Sequence, residues 1–166
     1  NVAKIFMSTP DEAWNLLTEW DADYVVVFVA GQRIDGNYGD NSIYVLNGGG
    51  DESKISWFMR IADVDLSKYL ESDGTTATSY FWNETLLGQM IPYTPIMYYS
   101  EASQQQSKIY QNGFVPISVL EINYADDGNY PLKLVHTSPS FTDKNIDRLV
   151  SVFVYEINKN YVSGND

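Results

Sequence analysis

Cysteine is absent from this 166-residue chain, and histidine occurs once. The first absence excludes disulfides, thiolate metal sites and thiol nucleophiles together. It leaves the compartment open, because exported proteins also do without disulfides. The second leaves His136 as the sole imidazole for a hydrolase triad. No motif sets a nucleophile and an acid beside it, so it reads as a structural residue of a strand. Basic residues are scarce as well: 10 Lys and Arg stand against 22 Asp and Glu, a net charge of -12. Nucleic acid and anionic lipid headgroups select clustered cations, so this balance opposes both as partners. No run approaches the roughly 18 apolar residues of a membrane-crossing helix; the longest covers residues 24–30. The chain opens Asn1-Val2-Ala3-Lys4, without an initiator Met or an apolar leader, and reads as a piece of a longer protein.

What is present argues for a folded domain. Hydrophobic residues make up 44% of the chain, too many for a disordered segment. The length suits one domain, or one domain with a small annex. An aromatic load of 13 Tyr, 7 Phe and 4 Trp serves either the core or a sugar-facing surface, with the core the simpler use.

Residues 1–7 form a short apolar lead-in. Thr9-Pro10-Asp11-Glu12 then starts a helix, with Thr9 at the cap, Pro10 in the first turn and Glu12 closing a capping box. Ala13, Leu16, Leu17 and Trp20 supply its buried face, and Asp21-Ala22-Asp23 ends it. Residues 24–30 are apolar without alternation, which predicts a strand buried on both faces. Residues 31–50 read as a long polar loop, its middle (41–46) suited to a short strand.

Gly48-Gly49-Gly50 marks a turn, and Asp51 follows as a cap for a helix. Ile55, Phe58, Met59 and Ala62 recur at one face of a 3.6-residue period. Asp51, Lys54 and Phe58 fall on one row at i, i+3 and i+7, so an acid, an ammonium and a large apolar side chain share a side. A core helix with a capping Asp and a stem-buried Lys gives the same pattern. A phosphate-cradling loop does not fit: Lys54 follows Ser53 rather than Gly, and Ile55 replaces the required hydroxyl.

Residues 63–78 form a second loop with one helical turn near Leu66 to Leu70. Asp63 and Asp65 are an acidic pair without the spacing of a calcium loop. A helix follows from Phe81, capped by Asn83, running to Met90-Ile91 and interrupted by Pro92 and Pro95. Asn83-Glu84-Thr85 is a glycosylation sequon, and an Asn that caps a packed helix is poorly placed for modification. Residues 100–107 continue a helix or form a linker. Residues 116–124 and 130–135 read as hairpin strands around Asp127-Gly128, with a third strand at 151–157. The fold class expected is α+β: a mostly helical layered core with a buried central strand in residues 1–112, followed by a small antiparallel β annex in residues 113–166 of the same domain.

Asp51-x-x-Lys54-x-x-x-Phe58, with Trp57, Arg60 and Ile61 around it, resembles the D-x-x-K-x-x-x-[M/I] motif of the oligosaccharyltransferase catalytic subunit. That family transfers a lipid-linked oligosaccharide to the Asn of Asn-x-Ser/Thr. Phe58 stands where the family has Met or Ile, with Met59 one residue on. Asp23-Tyr24-Val25-Val26-Val27, the stretch from Trp82 to Met90, and residues 132–141 with 152–157 are similar to further blocks of the family in the same order.

The resemblance implies the extracytoplasmic soluble domain of a multi-pass membrane glycosyltransferase, inactive as an isolated fragment. Asp51, Lys54 and Phe58 then correspond to part of the pocket around the acceptor's Ser/Thr, with Asp51 steadying Lys54. The catalytic carboxylates, the divalent metal (Mn or Mg), the lipid-linked donor site and the W-W-D-Y-G motif would lie outside this chain. The alternatives are a cell-surface carbohydrate-binding or protein-interaction module without catalysis, resting on the aromatics and acidity, and a small soluble enzyme. The lack of a His or Cys constellation disfavours the last.

Overall fold

The computed structural model describes residues 1–38, 41–46, 50–72, 77–91, 93–98, 116–120, 130–139 and 148–163. The fold is α+β. Helices α1 (Val2–Met7) and α2 (Pro10–Glu19) lead into the long strand β1 (Tyr24–Tyr38) and then β2 (Asn41–Leu46). A 3-10 turn (Asp51–Lys54) opens into α3 (Ile55–Ala62), followed by the short helices α4 (Leu66–Tyr69), α5 (Ser79–Glu84) and α6 (Leu86–Met90). Strands β3 (Tyr93–Tyr98), β4 (Pro116–Leu120), β5 (Leu132–Thr137) and β6 (Arg148–Ile157) complete the described elements.

The six strands make one sheet in the order β3-β4-β2-β1-β6-β5, with every pair antiparallel. Strand β1 is its spine. It pairs with β6 from Tyr24 opposite Glu156 to Gln32 opposite Arg148, and with β2 only from Gly31 onward. Residues directly opposite in an antiparallel pair share a face. Val25, Val27 and Val29 therefore point the same way as Tyr155, Phe153 and Ser151, and all six are buried. They meet Ile5, Phe6, Met7, Leu17, Ile55, Met59, Phe81, Leu86 and Leu87 in one core beneath the helices.

The other face of β1 corrects the expectation of a strand buried on both sides. Tyr24 is 56% and Val26 51% exposed, and Val150 on β6 is also exposed. Helices cover one face of the described sheet, so alternate positions of a uniformly apolar run end in different surroundings. Residues 31–50 are not one long loop either. Residues 31–38 extend β1, and the short strand foreseen at 41–46 pairs back on it as β2. Glycine and aspartate lower strand propensity, but ladder pairing overrides that weak preference here.

The foreseen hairpin of residues 116–124 with 130–135 is likewise corrected. Strand β4 lies between β3 and β2, whereas β5 lies at the opposite end against β6. Alternation marks strands but does not choose their partners; Asp127-Gly128 and residues 100–107 lie outside the described residues. Pro95, read as a helix breaker, sits in the terminal strand β3 beside a register shift, where a missing N–H is tolerated.

The start of α2 is as its sequence requires. The Thr9 side chain accepts from the Glu12 N–H, and the Glu12 carboxylate accepts from the Thr9 N–H at 3.2 Å. Ala13 and Leu17 are buried, but Trp20 is exposed, because the helix stops at Glu19 and Asp21 turns left-handed at a φ of 52°. Trp14 takes the packing role instead. Its Nε1–H donates to the Asn158 carbonyl at 2.9 Å, and its ring meets Tyr161 edge-on at 5.5 Å. Tyr161 donates its hydroxyl proton to Asp11, and Lys159 donates to the Ala22 carbonyl at 2.8 Å, so the segment after β6 clamps both ends of α2.

That clamp gives the fold an alkaline limit. The hydrogen bond to Asp11, with burial second, pushes the Tyr161 hydroxyl up to about 12 from its ordinary 10.0. A group whose folded value is raised lends stability that is whole below the unfolded value and is lost as pH climbs through the folded one. In urea titrations the native chain should lose stability between about pH 10 and pH 12. The Tyr161→Phe variant should lose measurably less across the same window.

Candidate functional site

The motif segment hangs from the edge of β1. Strand β2 begins opposite Gly31, so among the described residues no strand pairs with the earlier half of β1 on that side. The Phe28 N–H points into this gap and donates to Asp51 Oδ2 at 2.7 Å. Asp51 Oδ1 accepts from Lys54 Nζ at 2.8 Å. The carboxylate thus stands in for the missing ladder partner and holds a cation on its other oxygen. Its side chain is only 12% exposed, while that of Lys54 is 55% exposed. A buried carboxylate needs partners for both oxygens, and these two supply them.

This geometry changes the role foreseen for Asp51 as a helix cap. Gly50 occupies the cap position of the 3-10 turn without a side-chain bond, and Asp51 reaches sideways to β1. The turn also explains the ion pair. With three residues per turn, positions i and i+3 eclipse, which stacks Lys54 on Asp51. From Ile55 the helix is α, with Ile55 and Met59 sealed in the core and Phe58 and Ala62 packed on its margin. Phe58 is half-buried, its ring 5.3 Å from that of Phe6. Of the two candidates for the last motif position, Phe58 keeps access to solvent and Met59 has none.

The structure therefore joins Asp51 to Lys54 and sets Phe58 against α1. Residues 1–7, read only as an apolar lead-in, form that helix, and α1 packs on α3. The outward side of α3 carries a ridge that periodicity alone did not single out. Trp57 is 59% exposed, the Arg60 guanidinium lies 5.9 Å from its ring centroid, and Ile61 is exposed beside them. The legible signal was that these three positions fall off the apolar row set by Ile55, Met59 and Ala62.

The remaining sequence candidates resolve into structural roles. Asp63 takes a left-handed conformation at a φ of 55° and ends α3. Asp65 caps α4, accepting from the Ser67 N–H at 3.0 Å and the Ser67 hydroxyl at 2.8 Å. Those bonds hold its carboxyl below the usual range. His136 is exposed on the outer face of the sheet, opposite Val154. Among the described residues no three His, Asp or Glu side chains converge as metal ligands. No described helix is long and apolar enough to cross a membrane. No model of a known protein family matches the chain, and no curated protein matches it.

The two partners of the ion pair should separate cleanly on mutation. Asp51→Ala strips the Phe28 N–H of its acceptor and should cost about 2 kcal/mol. Lys54→Ala removes a half-exposed ion pair and should cost less than about 1 kcal/mol. The shift of the urea midpoint measures both.

Proposed function

We propose that this chain is the extracytoplasmic domain of an oligosaccharyltransferase catalytic subunit, and that the start of α3 helps hold the acceptor polypeptide. The single observation that carries the reading is the state of Lys54. Its carboxylate partner is fixed to β1, yet its own side chain is more than half exposed. A lysine needed only for packing would bury its stem; this one gives one ammonium N–H to a fixed carboxylate, and an ammonium carries three, so it can meet a second group. Phe58 is half-buried one turn further along, an apolar surface of the kind a threonine methyl requires. Such a methyl contact is worth about 1 kcal/mol, enough to tune a preference between Ser and Thr acceptors.

In this reading Asp51 positions Lys54, and Lys54 with Phe58 lines the acceptor side of a pocket completed by the rest of the enzyme. The carboxylates that hold Mn or Mg and the site for the lipid-linked oligosaccharide belong to that remainder, a multi-pass membrane portion. The isolated domain has no turnover of its own.

The Trp57–Arg60 ridge favours a second reading, a carbohydrate-binding or interaction module without catalysis. An exposed indole offers a face on which a sugar ring can stack.

One experiment separates the two. In the full-length enzyme, Lys54→Ala should raise the KM for Asn-x-Thr peptides by about tenfold, the scale of one lost charge-assisted hydrogen bond. Trp57→Ala should leave that KM unchanged. The opposite pattern, with glycan binding by the isolated chain abolished in Trp57→Ala, establishes the second reading.

A further inference from the structure

The chain carries one Asn-x-Ser/Thr sequence, Asn83-Glu84-Thr85, and its two functional ends meet opposite fates in the fold. Asn83 does not cap the helix that contains it. The Thr78 side chain caps α5, accepting from the Phe81 N–H, and Asn83 lies in the last turn of α5 with its side chain exposed. Thr85 is fully buried. It sits between α5 and α6 in an extended conformation and caps α6.

The Thr85 hydroxyl is engaged both as donor and as acceptor inside the elbow. It donates to the Phe81 carbonyl at 2.6 Å and accepts from the Gly88 N–H at 3.0 Å. The elbow around it is locked from three sides. The Leu86 N–H donates to the Ser8 carbonyl at 2.8 Å, tying the bend to the end of α1. Gln89 Nε2 donates to the Asn83 carbonyl at 2.5 Å. Gly88 packs so closely that a Cβ there would stand 2.2 Å from the Phe81 oxygen and 2.8 Å from the Trp82 Cα. Phe81, Leu86 and Leu87 beside it are fully buried.

An enzyme that selects a hydroxyl two residues after the asparagine must reach that hydroxyl with its own polar groups. In the folded chain the hydroxyl is sealed although the carboxamide is open. The two conditions are met together only before the elbow forms. We propose that Asn83 is an N-glycan acceptor modified before the α5–α6 elbow closes, and that the attached glycan then projects from the folded surface.

The step is a group transfer from an oligosaccharyl diphospho-lipid. Asn83 Nδ2 bonds to the anomeric carbon, the bond from that carbon to the phosphate oxygen breaks with its electron pair, the lipid diphosphate leaves, and the nitrogen loses one proton. It requires only that the nascent chain pass such an enzyme. It does not depend on the function proposed above for α3.

Three measurements test it. The chain secreted from an N-glycosylating eukaryotic host should carry one glycan at Asn83 by peptide mass mapping, and Asn83→Gln, a change at an exposed position, should remove it without loss of folding. A synthetic peptide of residues 79–90 should be modified by a purified single-subunit oligosaccharyltransferase with its lipid-linked donor. The folded bacterial chain should react about 100-fold more slowly or worse, because the elbow must open first. An unmodified secreted chain or an inert peptide overturns the acceptor assignment. Equal rates for peptide and folded chain overturn the order of events.

Discussion

One carboxylate decides where the helical layer meets the sheet. Among the described residues the first half of β1 is paired on one side only, and a strand N–H at such an edge needs an acceptor from elsewhere. Asp51 supplies it from the 3-10 turn, at Phe28. That bond fixes the turn against the strand, in agreement with the rotation that the apolar row of α3 requires. Ile55 and Met59 are thereby directed into the core, and Trp57, Arg60 and Ile61 outward. Core packing would hold the helix near the sheet without this bond. The buried row of Ile55 and Met59 and the Asp51 bond act together to set the rotation that leaves Lys54 at the surface.

Local chemistry made much of the fold legible. The capping box at Thr9 and Glu12, the helical row from Ile55 to Ala62 and the single turn at α4 are all short-range devices, and each is where the residues place it. Long-range choices were not legible. Which strands of an antiparallel sheet are neighbours depends on connections, and nothing in residues 116–120 says that they will pair with β2 and β3 rather than with β5. The extension of β1 past Gly31 was hidden in the same way, because glycine, aspartate and asparagine in 31–38 read as loop until β2 pairs with them. Asn83 was read as a cap because Asn caps helices often, yet Thr78 and Thr85 lie nearby and do so here.

The candidate site was legible as a set of residues but not as a geometry. Spacing put Asp51, Lys54 and Phe58 on a common row. The 3-10 turn joins the first two and the ring of Phe6 engages the third. No spacing rule could have found the Phe28 N–H, 23 residues earlier in the chain, as the second partner of Asp51. The proposed role for Lys54 therefore rests on a contrast between a buried carboxylate anchored to β1 and the half-exposed ammonium that it holds, which spacing alone does not draw.

The apolar residues exposed on the outer face of β1 and β6 have a colloidal consequence. Tyr24, Val26 and Val150 lie bare on a molecule whose net charge is -12. Mutual repulsion keeps such molecules apart in dilute buffer, and at about 0.15 M salt that repulsion reaches only some 8 Å. Apolar attraction between two exposed valine faces is not screened by ions. Added salt should therefore bring copies of this chain together, so that it is most soluble where ionic strength is lowest.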